Sequence, residues 1–101
     1  MFLLRMTSCP HSEAKEGIKR WKEIRSSSNI PDYMNLVGSW TVFVEDKGQT
    51  VQVFEVEESK VGKALQYMDI FVAQNYGDIP GLSFTHKVAY TPDEIFEASG
   101  L

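Results

Sequence analysis

The apolar positions of this chain follow two different periods, which predict helices in some segments and strands in others. Spacings of three and four residues give a segment one apolar side, as expected for an amphipathic helix. Such spacings occur over residues 11–26 and 59–75. The stripe residues are Ala14, Ile18, Trp21 and Ile24 in the first segment, and Val61, Ala64, Leu65, Met68, Phe71 and Val72 in the second.

Four further segments, residues 2–7, 36–45, 49–56 and 82–90, predict strands. The middle two are rich in β-branched and aromatic residues, and the last alternates with period two. In the last strand Leu82, Phe84, His86, Val88 and Tyr90 share one face. Asp46-Lys47-Gly48 predicts a tight hairpin between the middle strands, with Gly48 at positive φ.

Local signals predict where the helices begin and end. Pro10 suits the first turn of the first helix, which residues 26–29 end. Ser59 is expected to cap the second helix, and Gly77 is expected to end it in the left-handed conformation. Thr91-Pro92-Asp93-Glu94 reads as a capping box and predicts a short C-terminal helix.

The order strand, helix, strand, strand, helix, strand predicts one α+β domain over residues 1–101, of the ferredoxin-like βαββαβ type. Four strands should form one antiparallel sheet, with the first and last strands as neighbours. Both helices should lie on one face of that sheet, leaving the other face uncovered.

The hairpin strands are apolar on both faces, which a sheet with one wet face does not require. The first carries Leu36, Trp40, Val42 and Val44 on one face and Val37, Thr41 and Phe43 on the other; the second carries Val51 and Val53 opposite Phe54 and Val56. An uncovered apolar face predicts a homodimer through the sheet, since two-fold dimers are the commonest oligomers. A monomer whose last helix folds over the sheet is the alternative.

The composition is that of an ordinary globular domain and disfavours several kinds of partner. The chain has 101 residues, 43% of them hydrophobic and 24% charged, as in ordinary globular domains. A net charge of −4 disfavours a nucleic-acid partner. The single cysteine, Cys9, excludes an intrachain disulfide and disfavours a metal site. No apolar run is long enough for a membrane helix, and no signal peptide is visible, so a cytoplasmic location is expected.

Several segments together resemble the dimeric α/β-barrel superfamily, in which two ferredoxin-like subunits pack their sheets face to face. They are the strand beginning at residue 2, Ile18-Lys19-Arg20-Trp21, Gly38-Ser39-Trp40, the strand over residues 51–56 and the helix around residues 68–72. The chain looks closest to small members of unknown function. Because the superfamily includes monooxygenases, lactone isomerases and stress-responsive proteins, the resemblance implies a fold and a dimer but no reaction.

His86 is the best candidate for chemistry, because burial on an apolar face would leave a neutral imidazole able to exchange a proton. The alternative is a core histidine with a structural hydrogen bond. Arg5 and Lys87 are expected on the more polar faces of neighbouring strands, where they could form a cationic patch for a carboxylate or phosphate, or an ion pair with a glutamate. Trp40 and Tyr90 complete the candidate ligand-binding set.

The sequence thus predicts a homodimeric small-molecule-binding or regulatory domain, with no cofactor and no metal. A cofactor-independent monooxygenase or isomerase using His86 is the first alternative. A structural interaction module is the second.

Overall fold

A computed structural model of the protein describes residues 1–27 and 30–100. Four strands and three α-helices follow one another as β1 (Phe2–Pro10), α1 (Ala14–Ser27), β2 (Met34–Val44), β3 (Lys47–Val56), α2 (Val61–Tyr76), β4 (Ser83–Ala89) and α3 (Pro92–Ser99). Single 3₁₀ turns, His11–Glu13 and Glu58–Lys60, precede α1 and α2. The chain is therefore an α+β protein, as predicted.

The strands form one antiparallel sheet in the order β2-β3-β1-β4. β1 lies inside the sheet, with β3 on one side and β4 on the other. The predicted contact between the first and last strands is confirmed by pairs such as Leu3 with Val88. The arrangement is compatible with a ferredoxin-like fold.

Several predicted element boundaries were wrong. β1 continues to Pro10, because the strand stays paired with β3 up to Lys47. The hairpin turns at Glu45 and Asp46, with Glu45 at φ 33°, while Gly48 lies within β3. The predicted helix end at Ser28 and Asn29 lies outside the described residues.

The predicted ends of the second helix also need correction. Ser59 lies inside the 3₁₀ turn, and no side chain caps α2. Gly77 keeps helical φ, −63°, and its N–H still donates to the Ala73 carbonyl. In the connection between α2 and β4 the left-handed glycine is Gly81, φ 74°, where a Cβ would lie 2.8 Å from Pro10 Cγ.

The core lies between the sheet and α2. Leu3, Phe54 and Val56 from the sheet meet Ala64 and Met68 of the helix, and these residues are between 0% and 4% exposed. Burial of such side chains contributes about 1.5–3 kcal/mol each for the larger ones. The N-terminal half of α2 is thereby fixed on the sheet.

α1 lies beside α2 on the same face of the sheet, as predicted, but its apolar stripe is only partly buried. Ile18 is 56% exposed and Trp21 is 39% exposed. Polar contacts hold the two helices together: the Arg20 guanidinium bonds the Asn75 carbonyl oxygen at 3.1 Å and binds the Asp78 carboxylate through two nitrogens.

A β-bulge in β2 changes the predicted distribution of side chains between the two faces. The register shifts between Leu36 and Gly38, so Leu36 pairs with Phe54 on the helix-covered face. Trp40 and Val42, predicted to share a face with Leu36, lie on the opposite face. The extra residue, Val37, causes this switch because each residue in a strand reverses the side-chain direction.

The face of the sheet opposite the helices, called the open face below, is apolar and exposed in this single chain. Its apolar centre consists of Leu4, Met6, Trp40, Val42, Val51 and Val53. Met6, Trp40 and Val42 are 39%, 59% and 56% exposed. β4 adds a polar margin of Ser83, Thr85 and Lys87.

α3 begins at the predicted capping box, with the Glu94 N–H donating to Thr91 Oγ1 and the Thr91 N–H donating to Glu94 Oε1. The helix has no buried residue, and Ile95 and Phe96 are each 53% exposed. The monomer alternative requires α3 to bury its apolar side chains on the open face, and α3 does not do so.

Candidate functional site

Four polar side chains form a row across the helix-covered face of the sheet. Arg5 of β1 pairs with Gln52 of β3 on one side and with His86 of β4 on the other. Ser39 of β2 pairs with Gln52 and extends the row to β2, the edge strand on the other side of the sheet. Directly paired residues project from the same face, so this polar row spans all four strands.

The polar row lies between two rows of different character. On one side the paired residues are apolar: Leu36, Phe54, Leu3 and Val88. On the other side the paired residues, from β2 to β4, are Thr41, Thr50, Thr7 and Phe84. The hydroxyl groups of Thr41 and Thr50 are 2.9 Å apart. Polar groups therefore stand directly next to the hydrophobic core, where an unpaired one is costly.

Arg5 is a buried cation without a carboxylate partner in the described part of the chain. It is only 9% exposed. Its Nε donates to Gln52 Oε1 at 2.8 Å, and its Cζ lies 5.2 Å and 5.3 Å from the ring centroids of Phe54 and Phe71. Burial lowers the pKa of Arg5, although Tyr76 and Tyr67 oppose this shift. The guanidinium remains charged, because its ordinary pKa is far above neutrality.

His86 has one ring nitrogen engaged and one without a partner. Nδ1 lies 2.6 Å from Oδ1 of Asp69 on α2. Nε2 is buried and has no hydrogen-bond partner among the residues that the structure describes. Burial lowers the pKa of His86, the bond to Asp69 opposes this, and the charge of Arg5 lowers the pKa further. The carboxylate of Asp69 accepts a hydrogen bond, so in the neutral ring Nδ1 carries the proton and Nε2 offers a lone pair.

The opposite end of the polar row also carries an unsatisfied atom. Ser39 Oγ is buried, and no described residue forms a hydrogen bond with it. Buried polar atoms normally have a partner, in the protein or in bound water or ligand. The row thus offers donors at Arg5 and an acceptor at His86 that the described residues leave unused.

The structure brings together two of the four predicted ligand-binding residues. Arg5 and His86 are paired neighbours beneath α2. Trp40 lies on the open face at 59% exposed, and Tyr90, just after β4, is 58% exposed. These two belong to other surfaces, so the predicted set does not form one site.

The predicted patch of Arg5 and Lys87 was wrong. Lys87 pairs with Leu4, one residue before Arg5 along β1, and therefore projects from the open face. Arg5 projects toward the helices. The two residues lie on neighbouring strands and are offset by one position in the pairing. Because side chains alternate along a strand, that offset puts them on opposite sides of the sheet.

Gln52 and Asp69 were not among the predicted site residues. Gln52 was detectable, because it is the polar residue in the inward series that continues with Phe54 and Val56. Asp69 could not be singled out in the sequence, because it is an ordinary charged residue next to Met68 on an amphipathic helix. In the structure its side chain is 63% exposed. Its bond to His86 arises from the packing of α2 against β4, which local spacing does not reveal.

Other candidate chemistry lacks support in the structure. No group of three or more His, Cys, Asp or Glu side chains within residues 1–27 and 30–100 could hold a metal ion. Burial raises the pKa of the Cys9 thiol, with a further contribution from Glu13. Over the same described ranges, no helix combines the length and apolar character needed to cross a membrane.

Two shallow cavities lie elsewhere on the surface. One, of about 180 Å³, is lined mainly by open-face residues of β1, β3 and β4, including Met6, Val51 and Thr85. The other, of about 250 Å³, is formed by residues 32–35 and 55–57 at the end of the hairpin. His86 lines neither cavity, and its side chain is 3% exposed.

Comparisons with known proteins leave the function to be inferred from the site. No family model matches the chain, and no curated protein matches it. Among solved structures, the de novo designed protein Foldit4 is similar, with 6% sequence identity, coverage of 88% of this chain and 98% of that chain, and a TM-score of 0.46. This likeness is too distant to carry a conclusion about fold family or function.

Proposed function

We propose that this chain is a homodimeric small-molecule-binding protein of the dimeric α/β-barrel type. In this proposal two ferredoxin-like subunits cover each other's open face, and each binds a small organic ligand at its polar row. The observation that carries the binding function is the neighbouring pair of Arg5 and His86 at the β4 end of that row. Within residues 1–27 and 30–100, Arg5 has no counter-ion and His86 Nε2 has no hydrogen-bond partner.

A bound ligand explains why this pair is kept in a core position. An uncompensated buried charge destabilises a fold by several kcal/mol, on the order of 3–5 when a partner is removed. A purely structural core would replace both residues by apolar side chains at little cost. A ligand that supplies the missing partners turns the same residues into a binding site.

The open face supports the proposed dimer. Its apolar centre is half-exposed in the single chain, and such a patch on a soluble protein usually marks an interface. A second copy is the occupant that matches it best, because a two-fold axis sets the same apolar centre against itself. The face also carries both Lys87 and Glu55, so facing copies can exchange ion pairs.

Nuclear magnetic resonance tests the binding function directly. A ¹⁵N-labelled sample would be titrated with a broad set of small metabolites, and the backbone amide shifts would be recorded. Binding at the polar row should move the signals of Arg5, Gln52 and His86 while leaving those of α3 unchanged. Shifts confined to other surfaces, or no shifts with any compound, would contradict the proposed site.

Light scattering on a size-exclusion column tests the dimer. The mass should stay near twice 11.5 kDa across a dilution series. Val42→Lys on the open face should give a monomer, since it places a charge inside the interface. Ile70→Lys is the matched control, because Ile70 of α2 is comparably exposed, at 48%. A monomeric wild-type chain, or an equal effect of both substitutions, would refute the sheet-to-sheet dimer.

A cofactor-independent isomerase is the second candidate. The pairing of His86 Nδ1 with Asp69 favours it, because a carboxylate orients an imidazole whose other nitrogen can take a proton. The closure of the site around His86 counts against it. If the chain is an enzyme, His86→Phe should abolish turnover while the circular dichroism spectrum stays unchanged.

A further inference from the structure

We propose that the polar row binds a small carboxylate with a hydroxyl group on the neighbouring carbon. The carboxylate would lie against Arg5, and the hydroxyl group would donate to His86 Nε2. This inference rests on the proposed binding function and adds the chemical class of the ligand.

Arg5 determines the charge and shape of the ligand. Its Nε is engaged by Gln52, and rings of Phe54 and Phe71 lie about it. The two Nη groups remain, and they donate to no residue in the described part of the chain. This edge of a planar guanidinium matches the two oxygens of a carboxylate in a bidentate pair.

The electrostatics of the site favour a monoanion over a phosphate dianion. Arg5 is the one charged cation in the polar row, since burial favours the neutral form of His86. Phe71 and Tyr76 belong to the C-terminal half of α2, where the helix dipole is negative. A second negative charge on the ligand would therefore gain no partner here.

His86 determines the second functional group. With Nδ1–H directed to Asp69, the ring presents a lone pair at Nε2 and needs a donor. A carboxylate has no proton to give, whereas an alcohol has one. An ester or a second carboxylate would leave Nε2 unsatisfied, so the hydroxyl group is the matching partner.

The pairing of the two residues on neighbouring strands favours a ligand that carries both groups in one small molecule. Arg5 and His86 are directly opposed on β1 and β4. Opposed residues in an antiparallel pair have Cβ atoms about 4.5–5.5 Å apart. A 2-hydroxy acid carries its carboxylate and its hydroxyl group on adjacent carbons, which suits two groups that project from neighbouring strands.

Three two-carbon probes test this inference at constant ionic strength: glycolate, acetate and glycolamide. Binding would be measured from the amide shifts of Arg5 and His86 and from the thermal midpoint, which rises when a ligand binds only the folded state. Glycolate should bind about tenfold more tightly than acetate, because acetate leaves Nε2 unpaired. Glycolamide, which lacks the charge, should not bind measurably.

Variants assign the response to the proposed contacts. Arg5→Met should abolish carboxylate binding, and Arg5→Lys, which keeps a charge without the planar fork, should weaken it. His86→Phe should retain acetate binding and lose the preference for glycolate. Lys22→Met is the control, since it removes an exposed cation of α1 that lies outside the polar row and the open face, and its response should equal that of the wild-type chain.

The outcomes separate this inference from the proposed function. If metabolites move the polar-row signals but acetate and glycolate do not, the ligand class is wrong and the binding function stands. Equal loss in Arg5→Met and Lys22→Met would indicate general charge attraction and overturn the inference. If no compound moves these signals, both proposals fail.

Discussion

His86 Nδ1 and Asp69 Oδ1, from β4 and α2, lie 2.6 Å apart while the side chain of His86 is 3% exposed. This bond joins the sheet edge to the helix above it and fixes which nitrogen of the ring is free. Asp69 itself is 63% exposed, so the pair connects a buried ring to solvent.

The balance of burial and pairing at His86 predicts a pH dependence of stability. The pKa of His86 is lowered from 6.5, mainly by burial, so the unfolded chain binds this proton more readily than the folded chain. The free energy of unfolding should therefore fall as the pH drops below about 6.5 and through the folded-state pKa. Urea unfolding at about pH 7.5 and about pH 5.5 measures this change. His86→Phe should be less sensitive in this window; equal sensitivity would contradict the assignment.

Removal of the carboxylate should move the same titration in a known direction. Asp69 raises the pKa of His86 through its hydrogen bond and charge, in opposition to burial. Asp69→Asn should therefore lower the pKa of His86 further, as read from the imidazole signals in a pH titration. An upward shift would show that the carboxylate does not act on the ring in solution.

Arg5 and Gln52 should be energetically coupled. Gln52→Leu leaves Arg5 Nε buried without an acceptor, so we expect a loss of about 1–3 kcal/mol in the free energy of unfolding. Arg5→Met combined with Gln52→Leu should recover most of this loss, because the buried charge has been removed as well. A double-mutant cycle by urea unfolding measures the coupling, and additive losses would contradict it.

The contact between α1 and α2 should depend on the shape of one side chain. Arg20 bonds Glu16, Asp78 and the Asn75 carbonyl oxygen, and its guanidinium lowers the pKa of Asp78. Arg20→Lys keeps the charge but loses the bidentate pair, so the thermal midpoint should fall. The loss should be smaller in high salt, which screens exposed charges. Lys19→Arg, at the neighbouring position, is the control and should leave the midpoint unchanged.

The capping box at α3 should act locally. Thr91→Ala removes the acceptor for the Glu94 N–H, which destabilises a helix by about 1 kcal/mol. Because α3 has no buried residue, we expect faster hydrogen exchange at its amides and an unchanged thermal midpoint for the domain. A large fall in the midpoint would indicate that α3 is buried in the assembled protein.

Local patterns in the sequence were sufficient for the elements. Apolar periods predicted four strands and the two long helices, and the Thr91 capping box predicted α3, because each signal acts between residues close in the chain. The neighbouring first and last strands also followed from the order of the elements. Ends of elements were less accurate, since Gly77 continues a helical turn whereas Gly81 meets Pro10 from a distant strand.

Only the tertiary structure decided which side chains share a site. The polar row requires the registers of three strand pairings at once, and a shift of one residue in any of them would send Arg5, Gln52 or His86 to a different face or partner. The sequence by itself identified His86 and Arg5 as candidates, but it placed Arg5 with Lys87 on the wrong side of the sheet. Pairing between distant strands and the packing of α2 set these positions, because they depend on contacts that no local period encodes.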